Sequence, residues 1–257
     1  MTSKSEGVLI LSRSDTERLL DFGGYVEAVE AGLSAAAEGK AVVPPALSIQ
    51  LDEGSFHVKG GALRMGDRLY VALKSNGNFP ANPGRRGLPT VQGTIYLADG
   101  SDGRPLAILD SIGVTVARTG AATAVAAKYL ARDDARRVLI CGAGVQGRIQ
   151  LRAIAYARRI EQALICDINV EAAAALARHA TAELGIAAIP TSDLGAAREC
   201  DMIVTCTSSR RAFLTADHVQ PGTFVAAVGA DNSDKQEIDP GLFSRSTVVV
   251  DSLEQAA

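Results

Sequence analysis

The stretch RVLICGAGVQGRIQLRAIAYARRIEQALICD, Arg137–Asp167, decides how this chain is read. It opens with Val138-Leu139-Ile140-Cys141, an apolar run of strand length without polar alternation, as expected of a buried strand. Gly142-Ala143-Gly144-Val145-Gln146-Gly147 then breaks the run, and Arg148 to Arg159 reads as a helix. A second apolar run, Ala163-Leu164-Ile165-Cys166, closes at Asp167, 20 positions beyond Gly147. Strand, glycine turn, helix, strand and terminal acid make one βαβ unit.

A Gly-x-Gly-x-x-Gly turn by itself is weak evidence. In this context it is the dinucleotide-binding fingerprint of a Rossmann unit. Gly142 permits the sharp turn, Gly144 lets backbone approach a pyrophosphate, and Gly147 lets the helix pack closely on the strand. The free N–H groups at the helix start, from Val145 and Gln146 onward, face the phosphates, aided by the helix dipole. Asp167 stands where a carboxylate accepts both hydroxyls of an adenosine ribose. A 2′-phosphate would meet like charge there, so NAD is expected, with NADP left open. The alternative is a glycine-rich turn in a nucleotide-free α/β domain.

The 257 residues suffice for one large domain or two modest ones. With 47% hydrophobic and 21% charged residues and a net charge of −3, the composition is that of a globular protein without a basic field. Neither nucleic acid nor membrane is expected as a partner, and Val8–Leu11 is too short for a signal-peptide core. The four cysteines show no CxxC spacing and the three histidines no zinc spacing. Free thiols in a reducing cytoplasm and no metal are the expectation.

From the N-terminus, residues 12–39 read as helical, with Ser14 and Glu17 in a capping-box pattern and Val26, Val29, Leu33 and Ala36 on one face. Gly23-Gly24 is a candidate break. From Val42 the period becomes two, through Leu47/Ile49/Leu51, Phe56/Val58, Leu69/Val71/Leu73, Thr94–Leu97 and Leu106–Leu109, which predicts an antiparallel or mixed sheet. Lys74 ends one strand, on the face of Tyr70 and Ala72. Asn76–Pro83 and Gly87–Thr90 read as one long loop of the kind that serves a site. The Ala-rich segment Arg118–Leu130 reads as a helix capped by Thr119, which would set Arg118 at an anion-favouring N-terminus.

A domain boundary is expected near residue 116, giving an α+β domain over 1–115 and a Rossmann domain over 116–257. Beyond Asp167 helix and strand keep alternating, as in a parallel sheet. A helix is expected over Val170–Leu184, a short one over Leu194–Glu199, and strands over Ile186–Ile189, Met202–Cys206, Phe224–Val228 and Val248–Val250. Ligands of such sheets bind beyond the strands' carboxyl ends, where Thr207-Ser208-Ser209 and Gly229-Ala230-Asp231 fall. Asp231 is there a candidate acid/base or a loop-capping residue.

Taken together, these segments resemble the ornithine cyclodeaminase/μ-crystallin family. The resemblance is carried by Lys74 with Asn76-Gly77-Asn78-Phe79-Pro80-Ala81-Asn82, Gly87-Leu88-Pro89-Thr90, Asp110, Arg118-Thr119-Gly120-Ala121, the Gly142–Gly147 turn, and Val228-Gly229-Ala230-Asp231 with Lys235 and Glu237. It implies a homodimer whose α+β substrate and dimerisation domain accompanies a Rossmann domain. It also implies hydride transfer between nicotinamide and the α-carbon of a small amino or imino acid. Lys74 becomes a ligand of the substrate carboxylate, and Asp231 the acid/base at the substrate nitrogen. Thr90, Arg118, Thr119, Thr207 and Val228 become cofactor contacts, with Arg118 also near the substrate.

Two departures matter. Ornithine-specific members carry an arginine where this chain has Ala46, and an acid for the distal amine about where His57 stands. Lys59 is a candidate replacement for the missing cation, or simply an exposed strand lysine. Without the acid, a distal ammonium would be poorly paired, which points to a neutral, acidic or cyclic substrate. Family members also run several tens of residues further, so the resemblance implies a Rossmann layer cut short at Ala257, with apolar surface on the last strands and loss of activity. The leading reading is an NAD(P)-dependent imine reductase or amino-acid dehydrogenase. A cyclodeaminase is the runner-up and a non-catalytic cofactor binder the third.

Overall fold

Alternating residues build the first unit around a seven-stranded mixed sheet. The computed structural model describes residues 7–231 and 234–251. The chain divides after Arg118 into two compact units. The first opens with β1 (Leu9–Leu11), α1 (Arg13–Leu19), α2 (Phe22–Ala37) and β2 (Ala41–Val42), then β3 (Leu47–Leu51), β4 (Gly54–Met65) and β5 (Arg68–Asn78). A short α3 (Asn82–Arg86), β6 (Val91–Asp99) and β7 (Pro105–Asp110) follow. The sheet runs β1-β7-β6-β5-β4-β2, with β3 also on β4; β1 joins β7 in parallel and the other pairs are antiparallel. Gly66, at φ +58°, makes the two-residue turn of the long β4–β5 hairpin.

The helical N-terminal segment breaks elsewhere than its glycines suggest. Ser12, not Ser14, forms the capping box, with Asp15, and the break falls at Leu20–Asp21, where the Asp21 carboxylate accepts from Gly24 N–H. Of the expected apolar face, Val26 is buried while Leu33 is 42% exposed. Two further readings are corrected here. The supposed loop over Asn76–Thr90 is in part strand, since β5 continues to Asn78, and in part the helix α3. The helix α4 runs Ile112–Leu130, so Arg118 and Thr119 lie inside it and not at its N-terminus.

The second unit is a doubly wound α/β domain. β8 (Arg137–Cys141), α5 (Val145–Ala157), β9 (Gln162–Cys166), α6 (Val170–His179), β10 (Ala187–Thr191), β11 (Met202–Thr205) and β12 (Phe224–Ala227) give a parallel sheet ordered β10-β9-β8-β11-β12. Side chains of β8 alternate between two cores. Val138 and Ile140 join Leu151, Ile154 and Leu176 on one face, and Leu139 and Cys141 join Ala197, Leu214 and Ile238 on the other. Burial on both faces is why the run lacks polar alternation. The expected helix over Val170–Leu184 changes to a π turn at Ala180–Leu184, where the Thr181 hydroxyl bonds to the carbonyls of Ala177 and Ile186. The segment Leu194–Glu199 is 3₁₀, and α7 spans Pro240–Phe243. Val248–Val250 is no strand; Val248 and Val249 are 53% and 61% exposed. Among the described residues, no helix is long and apolar enough to cross a membrane.

Candidate functional site

In the first unit, strand register assembles a polar row. Ser48, His57, Asn76 and Gly93 pair across β3, β4, β5 and β6, and Lys59 faces Lys74 two residues further along. Both His57 ring nitrogens are engaged, Nδ1 with Ser48 Oγ at 2.8 Å and Nε2 with Ser55 Oγ at 2.9 Å. Asn76, buried in the row, accepts from Ser111 Oγ at 2.6 Å and donates to Thr115 Oγ1 at 3.3 Å. Gly93 leaves room for it, because a Cβ there would collide with Ser75 O and Asn76 Oδ1.

Ser111, Thr115 and Arg118 recur at helical spacing, so they share the α4 face that Asn76 holds. The result is a basic cluster. The Lys74 ammonium is held down from 10.5 to about 8, first by burial and then by the charges of Arg118 and Lys59. Cations crowded at a half-buried position favour an anionic ligand such as a carboxylate. Thr90, in the same unit, is half-buried, and its carbonyl accepts from Phe79 N–H at 2.8 Å.

In the second unit, strand order reverses between β8 and β11, and the glycine turn lies at that switch point. Gly142 adopts φ +107°, and a Cβ there would lie 2.9 Å from Cys206 O. A Cβ on Gly147 would collide with Gly142 O. Gly144 differs: it is extended at φ −78° as N-cap of α5, and nothing lies within 4 Å of where its Cβ would stand. The protein's own packing gives no reason for this glycine, whereas a pyrophosphate lying on the turn would. Helix geometry leaves Val145, Gln146 and Gly147 N–H without intrahelical acceptors beside that space. The residues therefore fit a dinucleotide.

Asp167 ends β9 with its carboxylate turned onto the turn itself. Oδ2 accepts from Ala143 N–H at 2.7 Å and Oδ1 from Asn169 N–H at 2.8 Å. A carboxylate has about four acceptor sites, so two remain for ribose hydroxyls. Beneath the turn, Cys141 and Cys166 are direct cross-strand partners. Their thiols interact, which raises Cys141 and lowers Cys166 to about 7, while burial pushes Cys206 up to about 12. All four cysteines are free thiols.

Beyond β11 and β12, Thr207 and Val228 are half-buried and Asp231 exposed. The Thr207 hydroxyl is committed to Glu237 Oε1 at 2.7 Å, and Val228 N–H to Thr205 O at 2.8 Å. Asp231 Oδ1 accepts from Lys235 Nζ at 2.7 Å. Sequence reasoning assigned no role to Asn76, Ser111 or Glu237. Apart from Gly229, eight positions before Glu237, their side-chain partners lie 30 or more positions away, and no local spacing signals such pairs.

Comparison with known proteins bears on this arrangement. The model of the ornithine cyclodeaminase/mu-crystallin family matches residues 7–257. The chain belongs to that family. An alanine dehydrogenase of Archaeoglobus fulgidus is 36% identical over 248 residues, covering 96% of this chain and 75% of the relative. An archaeal alanine dehydrogenase dimer solved with bound NAD superposes with a TM-score of 0.91 at 36% identity, covering 97% of this chain and 76% of that one. The Thermococcus litoralis Δ1-pyrroline-2-carboxylate reductase, solved with NADH and L-proline, gives 0.83 at 35% identity, covering 91% and 72%. Within this family the mixed α/β architecture with a Rossmann-type sheet is the shared fold.

Proposed function

We propose that this chain is an NAD(P)-dependent oxidoreductase that moves a hydride to or from the α-carbon of a small amino or imino acid. The observation that carries the reading is the Lys74 cluster, a half-buried lysine whose charge is opposed by burial and by the neighbouring Arg118 and Lys59, a setting that favours an anionic ligand. The substrate carboxylate is its ligand. Family members of similar sequence support the chemistry, being named for alanine and for pyrroline-2-carboxylate.

Bound nicotinamide supplies the hydride donor or acceptor. The chain's residues do the rest. Gly142, Gly144, Val145, Gln146 and Gly147 hold the pyrophosphate, and Asp167 the adenosine ribose, with NAD preferred over NADP because a 2′-phosphate would meet the carboxylate. Thr90, Arg118, Thr119, Thr207 and Val228 complete the cofactor contacts. Asp231 exchanges a proton with the substrate nitrogen as its bonding to the α-carbon changes, with the Lys235 ammonium beside it. His57, whose ring nitrogens are both spent on serines, offers no anion to a distal ammonium, which disfavours a diamino acid.

The first unit is the substrate and dimerisation domain. Its other sheet face carries exposed Ile10, Leu47, Ile49, Leu51, Leu73 and Ile108, an apolar surface suited to a second copy. The free thiols support a reducing cytoplasm.

The test follows reduced nicotinamide and ammonia together, with a panel of amino and imino acids. Net change in NADH with an α-imino or α-amino acid is expected. Ammonia without net NADH means a cyclodeaminase. Binding of NADH with neither overturns catalysis and leaves a cofactor-binding protein.

A further inference from the structure

The second unit buries a carboxylate that no step above uses. Glu237 is 1% exposed, with its backbone carbonyl anchored by Phe213 and Leu214 N–H, each at 3.0 Å. Leu214 also bridges to Ile238, and both are core residues. From this anchor the side chain reaches the ends of β11 and β12. Oε1 accepts from Thr207 N–H at 2.6 Å and Thr207 Oγ1 at 2.7 Å. Oε2 accepts from Thr205 Oγ1 and Gly229 N–H, both at 2.9 Å. All four acceptor positions of the carboxylate are filled, so it has no capacity left for a ligand.

We infer that Glu237 is a positioning residue of the dinucleotide site, tying the ends of β11 and β12 so that Thr207 and the Gly229–Asp231 turn keep one arrangement. The inference rests on the dinucleotide reading above. Each oxygen faces one backbone N–H. A hydroxyl can rotate to accept, but an amide N–H cannot. Glutamine, though isosteric, must therefore point its NH₂ at Thr207 N–H, which has no other acceptor among the described residues, or at Gly229 N–H, which then loses its carboxylate bond and keeps the one to Thr205 O at 3.1 Å. The fit is also enforced from the other side, since a Cβ on Gly229 would collide with Thr207 O and stand 2.5 Å from Glu237 Oε1. Displacing Gly229 displaces the proposed acid/base, because Asp231 N–H and Lys235 Nζ both donate to Gly229 O, at 3.1 and 3.3 Å.

The test compares wild type with Glu237→Gln and Gly229→Ala by thermal melting, NADH affinity, steady-state kinetics and amide hydrogen exchange at Thr207 and Gly229. A backbone N–H that loses its carboxylate acceptor and meets an NH₂ instead predicts, for folded Glu237→Gln, about tenfold or greater loss in NADH affinity and in kcat. The imino-acid KM is expected within about threefold of wild type, because the basic cluster is held by other bonds. Exchange at both amides quickens, and Glu237→Asp, which keeps two acceptor oxygens, recovers part of kcat. If Glu237→Gln does not fold, Gly229→Ala decides by the same measurements. A lower melting temperature with NADH affinity and kcat unchanged makes Glu237 a core residue only and overturns the inference. A wild type that binds no dinucleotide removes the underlying reading, and this role with it, before any variant is made.

Discussion

Lys74 keeps its charge in a place that opposes it. Burial, Arg118 and Lys59 lower it from 10.5 to about 8, so between those values the unfolded chain holds a proton that the folded one lacks. Its contribution to stability is therefore full above 10.5 and is lost as pH falls through about 8. Substrate binding has the opposite need, a charged ammonium. The KM for a carboxylate substrate is expected to rise as pH passes about 8, with proton uptake on binding. Titration calorimetry in two buffers of different ionisation enthalpy reads that uptake. Lys74→Met is expected to raise KM by about 10–100-fold, from a lost charged hydrogen bond of about 1.5–3 kcal/mol, without lowering the melting temperature. Asp231→Asn is expected to cost about 10²–10⁴ in kcat at unchanged NADH affinity, as loss of a general acid/base does. Intact turnover in that variant ends the assignment.

Elements explain what the chain displays locally and what it hides. The two glycines at 142 and 147 answer to backbone dihedral and packing, and Gly144 to neither, which separates their substitutions. Gly147→Ala is expected to destabilise by more than about 2 kcal/mol, through overpacking against Gly142 O. Gly144→Ala is expected to cost under about 1 kcal/mol, as a weaker N-cap, yet to weaken NADH binding about tenfold. Melting curves and fluorescence titration measure the pair. The βαβ unit is legible because strand, turn and helix follow one another in sequence, each with its own period. The start of α4 is not. Ile112-Gly113-Val114-Thr115-Val116 is a β-branched run around a glycine, a poor helix by propensity, and Ser111 and Thr115 are held by Asn76 from 35 and 39 positions away. That contact moves Arg118 from a supposed N-terminus to the second turn of a helix, beside Lys74. Asn76→Ala, which leaves the Ser111 hydroxyl without its acceptor, is expected to cost about 1–3 kcal/mol and to raise KM along with Lys74 variants.

At the scale of the molecule, both sheets were readable from period, the mixed one from alternation and the parallel one from unbroken apolar runs. The residues that hold a site together were less so. No local period announces the bonds of His57, Asn76 and Glu237: strand register sets His57 beside Ser48, Asn76 reaches Ser111 and Thr115 at the start of α4, and Glu237 reaches Thr205, Thr207 and Gly229 from a loop. Apolar residues pose the reverse problem, since alternation marks two faces without saying what covers each. On the mixed sheet, one face carries the polar row and the other exposes Leu47 at 58% and Ile49 at 48%. Ile49→Asp is expected to shift the protein to monomer in sedimentation velocity while the second unit still binds NADH. That open face has a thermodynamic consequence. If the sheet is completed only by a second copy, folding and association are one equilibrium, and stability becomes a property of the solution as much as of the chain. The melting temperature should then climb with total protein concentration and fall on dilution, as it does for no self-sufficient monomer.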